Sequence, residues 1–318
     1  MTLIEKIEKG DFNLNEEEIL ELLNIENGSE RFYRLLYVSN ALSRKKFGNK
    51  GYVFTQVGIN AEPCSKNCRF CSLGFDHYSL DSKWRKGPAF LQQEMKKLQE
   101  FFFDDFFLMT TADYPVEHFL DMSRQIRPML KPHQRFVANI GDFDIQIAKE
   151  LQEAGYTGVY HINRLREGKD TLIPPENREK TIEAVQAAGL ELYYCIEPVG
   201  PEHSYEELLV EIKRARELKI AVMAVMRRIP VPGTPLFEKG KITASELTKI
   251  VAVTNIVVNP SRAMNVHEPT QMALLAGVNQ LYAEIGANPR DTKSETETSR
   301  GFTPDKAWDM LWEAGYIN

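Results

Sequence analysis

The rhythm of apolar and polar positions changes near residue 50. Between residues 14 and 49, Ile19, Leu20, Leu22 and Leu23, then Phe32, Leu35 and Leu36, recur on one helical face and predict a helical preamble. Beyond it, short apolar runs alternate with amphipathic stretches of roughly ten to seventeen residues, the pattern of βα units feeding a parallel sheet. Strands are expected at 53–59, 105–110, 135–140, 158–163, 190–197, 221–227, 262–266 and 280–285. Helices are expected at 89–101, 116–130, 144–154, 176–188, 205–218, 244–258, 270–276 and 303–313. Gly155, Gly189 and Gly277 fall just past helix ends, where a left-handed residue stops the helix without strain.

The fold class expected from eight such units is α/β, a (βα)8 TIM-type barrel over residues 51–318 behind a short helical N-terminal extension, residues 1–50. An incomplete barrel of six units with a separate tail is the alternative. No Pro-, Gly- or Ser-rich linker divides the chain, and 291–301 (DTKSETETSRG) is the one polar run long enough to make a mobile loop.

At 318 residues, 43% hydrophobic and 26% charged, the chain has ample apolar material for a single large core. A formal net charge of −6 argues against a dedicated nucleic-acid binder, which carries a basic face. No apolar run approaches the roughly 18 residues of a membrane span. The opening MTLIEKIEKGDFNLNEEE lacks the basic start and apolar centre of an export signal, so a cytoplasmic protein without a membrane partner is expected. Of four cysteines, three lie within eight residues and cannot pair with one another without strain, which favours metal ligation.

Those three follow the first expected strand in NAEPCSKNCRFCSLG, giving Cys64-x3-Cys68-x2-Cys71. One short loop of this spacing can set three thiolates at three corners of a [4Fe-4S] cubane and leave the fourth iron without a protein ligand. A structural zinc loop is the competing reading. It needs a fourth ligand, for which Cys195 or His77 would have to be recruited, since no second cysteine pair exists.

With Phe70 before the last cysteine, the loop resembles the CxxxCxΦC signature of the radical S-adenosylmethionine (SAM) superfamily. The resemblance implies that Cys64, Cys68 and Cys71 are catalytic metal ligands and that SAM chelates the open iron. One-electron reduction then cleaves the sulfonium to a 5′-deoxyadenosyl radical that abstracts hydrogen from a substrate. It also places Phe70 against the adenine. The run LMTTADYP, ending the second expected strand, stands where the superfamily binds the methionyl amine through backbone carbonyls. Thr110, Thr111, Ala112 and Asp113 thereby inherit cofactor contacts, with capping of the next helix the alternative for Asp113.

The fourth expected strand ends in YHINRLRE, at the end of the barrel where active sites are built. Arg164 and Arg166 there suit a carboxylate, and Glu167 an ammonium or ribose hydroxyl; an exposed loop of mixed charge is the alternative. The helix start PENR resembles that of biotin synthase and of the hydrogenase maturase HydE, which implies a SAM contact for Arg178. The stretch YCIEPVGPEH resembles an adenine-lining region and brings Ile196 and Glu197 to the cofactor. Tyr160, His161, Asn163, Arg227, Arg228, Arg262, Asn265 and His267, all in or beside expected strands, make a site for a small anionic substrate. Rim arginines that merely pair with surplus acids are the other possibility.

The runs RRIPVPGTPL and RAMNVHE extend the resemblance, to the biotin synthase-like branch, over about residues 15–316. Biotin synthase needs a second cluster held by three more cysteines and an arginine that matches Arg262. With Cys195 alone remaining, neither biotin synthesis nor sulfur insertion is expected. The single-cluster members are HydE, methylornithine synthase and the HmdB type, linked to the iron-guanylylpyridinol cofactor of [Fe]-hydrogenase. The stretch from HINRLREG to EPVGPEH most resembles the HmdB type, which implies cofactor biosynthesis and a flavodoxin or ferredoxin as single-electron donor. Three rivals stand beside it: part of a two-protein lipoyl synthase, a non-catalytic iron-sulfur scaffold, and an aldolase-like barrel. The last needs a strand lysine, and none lies in the eight expected strands.

Overall fold

The computed structural model describes residues 2–267, 269–284 and 302–318. Its strands are β1 (Tyr52–Gly58), β2 (Asn60–Ala61), β3 (Trp84–Arg85), β4 (Asp105–Met109), β5 (Arg135–Asn139), β6 (Gly158–Tyr160), β7 (Glu191–Val199), β8 (Ile220–Arg227), β9 (Ala263–His267) and β10 (Gln280–Glu284). All but β2 and β3 close into one parallel barrel in chain order. Phe54 completes the ring, in register with Asp105 of β4 on one side and Tyr282 of β10 on the other. The eight expected strands are therefore all present. Ile285, the end of the last, and the expected loop 291–301 lie outside the described residues.

The helices are α1 (Leu3–Glu8), α2 (Glu16–Leu23), α3 (Glu30–Phe47), α4 (Pro88–Leu98), α5 (Val116–Ile126), α6 (Ile145–Glu153), α7 (Pro175–Ala187), α8 (Tyr205–Glu217), α9 (Ala244–Val258), α10 (Gln271–Leu274) and α11 (Pro304–Glu313). Helices α4 and α10 end earlier than expected, at Leu98 and Leu274, and three other boundaries differ from expectation for local reasons. Helix α5 stops at Ile126 because Pro128 withdraws an N–H and the chain tightens into a 3-10 turn over Arg127–Met129. Strand β6 ends at Tyr160, and the Asn163 N–H turns away to the Tyr194 hydroxyl at 3.3 Å. Strand β7 continues to Val199 with a register shift after Ile196, where Pro198 has no N–H to give the ladder. Helix α1 was not anticipated, although Thr2 and Glu5 form a reciprocal capping box that announces it.

Helix α9 explains why α1–α3 are needed. Residues 247–257 are buried all round, and a helix without a polar face requires cover on both sides. The barrel covers one side and α3 the other, where Asn255 donates to the Ser39 carbonyl at 3.1 Å and the Ser43 hydroxyl at 3.0 Å. Gly277, at φ +90°, passes so close to α3 that a Cβ would stand 2.7 Å from Ser43 Oγ.

The barrel floor is a closed polar lock. Asp105, fully buried at the start of β4, takes both forks of Arg262 at 2.7 Å each, Gln280 Nε2 at 2.7 Å and the Tyr193 hydroxyl at 3.3 Å. Bidentate pairing satisfies the buried carboxylate and raises the Arg262 pKa against the opposing pull of burial. The open end of the lumen thus lies at the opposite, C-terminal ends of the strands.

Candidate active site at the barrel mouth

Cys64, Cys68 and Cys71 sit on a loop between β2 and β3 that is tied down from several sides. The Cys64 N–H donates to the Leu73 carbonyl at 2.7 Å, and the Cys71 N–H to that of Cys68 at 2.9 Å. The loop exchanges backbone bonds with the segment after β6: the Arg69 N–H donates to the Asp170 carbonyl at 2.9 Å, and the Leu172 N–H donates to the Lys66 carbonyl at 2.8 Å. His77 Nε2 lies 3.1 and 2.9 Å from the carbonyls of Cys68 and Cys71. Carbonyls only accept, so this nitrogen carries a proton and braces the loop, and no ring nitrogen of His77 groups with two of the cysteine sulfurs within 4.8 Å, as a fourth zinc ligand would.

All three thiols line one cavity with about 900 Å³ of unfilled space, counting the part open to solvent. Burial pushes the Cys68 thiol up to about 12 and raises that of Cys64, so a metal must displace protons to be held there. The three sulfurs do not all lie within 4.8 Å of one another, and among the described residues no other cysteine, histidine or carboxylate groups with them at that range. Thiolates on one tetrahedral zinc stand about 3.8 Å apart, given Zn–S bonds of about 2.3 Å. The spread donor set suits a polynuclear cluster, each sulfur on its own iron.

Opposite the loop, Thr110, Thr111 and Ala112 line the same cavity just past β4. Asn60 holds this segment from both directions, accepting from the Thr111 N–H at 2.9 Å and donating to its hydroxyl at 2.8 Å. Gly141 abuts it so tightly that a Cβ would lie 2.4 Å from the Ala112 carbonyl. Asp113 neither caps α5, whose N-cap is Pro115, nor lines the cavity. It accepts from the Ser65 N–H at 2.5 Å and the Ser65 hydroxyl at 2.8 Å, fastening the cysteine loop to β4.

From the β6 side come Tyr160, Arg164 and Arg178. Arg164 Nε is buried without a hydrogen-bond partner, 3.3 Å from Glu197 Oε1 but not aligned with it. Arg178 donates to Asp142 at 2.9 Å and Glu167 at 3.3 Å. Burial works to raise the Asp142 pKa, but His161 and Arg178 outweigh it and hold the carboxylate ionised. His161, bonded to Asp142 at 3.1 Å, is driven down to about 4 by burial and stays neutral. Glu197, which accepts from the Tyr160 hydroxyl at 2.8 Å, and His267 complete the wall.

Several expected site residues stand elsewhere. Phe70 is half-buried on the loop and Glu167 is buried behind Arg178, neither of them lining the cavity. Arg166 is spent on Glu207 at 2.6 Å, and Ile196 faces away from the lumen because strand neighbours alternate sides. Arg262 is locked in the floor. Arg228 is buried in a bidentate pair with Glu202, and Arg227 donates to the Ile242 carbonyl at 3.3 Å. Asn163 and Asn265 bond to Tyr194 and Gln280, outside the cavity lining. Sequence reasoning missed Asn60, Asp142 and Gly141. For Asn60 a signal existed, a polar residue directly after a strand at the active end; the other two show only through contacts.

No family model matches the chain. It is 27% identical over 295 residues to the biotin synthase of Desulforudis audaxviator, covering 84% of this chain and 85% of that protein. It is 25% identical to that of Pelotomaculum thermopropionicum, covering 88% and 90%. The crystal structure of methylornithine synthase superposes with TM-score 0.85 at 16% identity over 99% of this chain and 96% of that one. The hydrogenase maturase HydG from Carboxydothermus hydrogenoformans superposes with TM-score 0.81 at 17% identity, over 99% of this chain and 77% of that one. Among the described residues no helix is long and apolar enough to cross a membrane. With a closed barrel, a three-cysteine loop over a mouth cavity and similarity to biotin synthases along most of its length, the chain is a radical SAM enzyme, an enzyme class whose cofactors are a [4Fe-4S] cluster and SAM.

Proposed function

We propose that Cys64, Cys68 and Cys71 each bind one iron of a [4Fe-4S] cluster and that SAM takes the fourth iron from within the mouth cavity. The observation that carries this reading is the loop itself: three thiols lining one cavity, not all within 4.8 Å of one another, with no fourth protein donor grouped with them at that range among the described residues. When bound and reduced, this pair supplies a 5′-deoxyadenosyl radical that removes hydrogen from the substrate.

The chain's own residues bind and orient. The Thr110–Thr111–Ala112 backbone, clamped by Asn60, offers carbonyls to the methionyl amine. Arg164, with its unpartnered N–H, and Arg178 supply donors for carboxylates. Asp113 and Glu167 are positioning residues, acting through Ser65 and Arg178. Lys66, Arg164 and Arg178 stand against Glu197 as the one carboxylate among the described lining residues, a cationic surplus that favours a small anionic substrate. Cys195 is the one cysteine outside the loop and Arg262 is committed to Asp105, which leaves no ligand set for an auxiliary sulfur-donating cluster. The HmdB type, making a precursor of the [Fe]-hydrogenase cofactor with a flavodoxin or ferredoxin as electron donor, fits a single-cluster chain carrying HINRLREG and EPVGPEH.

Anaerobic reconstitution with iron and sulfide followed by dithionite and SAM tests the chemistry. The expected product is 5′-deoxyadenosine, absent with Cys68→Ala. A protein that assembles its cluster yet never cleaves SAM is a scaffold, and the proposal falls.

A further inference from the structure

Deeper in the lumen stands a second donor group. Cys195 Sγ, a Glu197 carboxylate oxygen and a His267 ring nitrogen all lie within 4.8 Å of one another. We propose that these three residues bind a single divalent transition metal ion of the zinc or ferrous class, separate from the cysteine loop.

Chain geometry brings them together. Cys195 and Glu197 are two apart on β7 and point into the lumen, and His267 ends β9 across β8. Cys195 is fully buried, and Glu197 is 7% exposed. The His267 ring is set by Phe54, Tyr160 and Tyr282, with centroids at 5.5, 6.4 and 5.0 Å. Tyr160 donates to Glu197 at 2.8 Å, the kind of outer partner that orients a ligating carboxylate.

The donor chemistry selects the ion. Thiolate, carboxylate and neutral imidazole together suit zinc or ferrous iron and disfavour magnesium or calcium. One thiolate and one carboxylate also cancel a divalent charge, so the occupied site, formed with release of the thiol proton, is itself neutral. Three protein ligands leave a coordination position open, as in catalytic rather than structural metal sites. Glu197 and His267 both line the mouth cavity, so that position is reached from there and can take an anionic oxygen or a nitrogen of the substrate.

Cobalt(II) is the probe, because a bound thiolate gives it a charge-transfer absorption that carboxylates and imidazoles do not. Reconstituted protein with its cluster in place is expected to bind about one further equivalent of cobalt with that band. Cys195→Ala should keep its cluster iron and sulfide, lose the band and bind cobalt at least roughly tenfold more weakly, since even outer-shell losses reach that size. His267→Ala should weaken binding similarly while keeping the band at saturation. A chain with Cys64, Cys68 and Cys71 all changed to alanine holds Cys195 as its one thiol and reads the same site without any cluster, once circular dichroism shows it folded. The band in that variant supports the site even if the cluster proposal fails. No cobalt beyond the cluster, cobalt without a thiolate band, or unchanged binding in Cys195→Ala each overturns it.

Discussion

Replacing Arg262 with methionine discriminates a substrate arginine from a floor lock. The substitution removes two charge-assisted bonds of 2.7 Å and leaves Asp105, with no exposed surface, facing only Gln280 and Tyr193. Stranding one member of a buried ion pair costs about 3–5 kcal/mol. Unfolding entropy near 2.1 cal/mol/K per residue gives roughly 0.7 kcal/mol/K for the 318-residue chain, so Tm should fall by about 4–7 °C. Changing Asp105 to asparagine in the same chain removes the stranded charge and should restore at least about 2 kcal/mol. Thermal unfolding of the metal-free protein under anaerobic conditions, followed by circular dichroism, measures both. If Arg262→Met unfolds within about 1 °C of the parent and the double variant shows no coupling, the floor does not lock the barrel.

Two further outcomes follow from the site. Asp113→Ala removes both anchors of Ser65 and should loosen the cysteine loop, seen as faster loss of cluster iron to a chelator with little change in Tm; unchanged iron release would contradict that role. His161 titrates near 4 when folded against about 6.5 when unfolded, buried among Asp142, Arg178 and Arg164. The unfolded chain binds the proton more tightly, so this contribution to stability is complete above pH 6.5 and is lost as pH falls toward 4. Denaturant titrations across that window should show His161→Gln with a shallower decline than the parent, and parallel curves would refute it.

Much of the scaffold is legible in the sequence because burial forces it. A parallel barrel strand covered on both faces must be an apolar run, and eight such runs between amphipathic helices leave little choice of topology. The cysteine loop is equally legible, since spacing within eight residues decides which thiols share a site. Pairing across space is not. Arg262 and Asp105 are separated by 157 residues, and Arg228 and Glu202 by 26, so nothing local distinguishes a locked arginine from one awaiting a carboxylate. Asp113 shows the same limit: it stands where a helix cap or a ligand contact is expected, and its partner Ser65 lies on another loop. The Cys195–Glu197–His267 group needed the barrel to close before β7 and β9 faced each other.

The central claim is an iron left open by three thiolates and filled by SAM. Electron-nuclear double resonance on the reduced cluster, with SAM carrying 15N in its methionyl amine, addresses that bond directly. A nitrogen hyperfine coupling that appears with labelled SAM and vanishes in Cys71→Ala is the result the account predicts. An intact reduced cluster that shows no coupling to the label would contradict it.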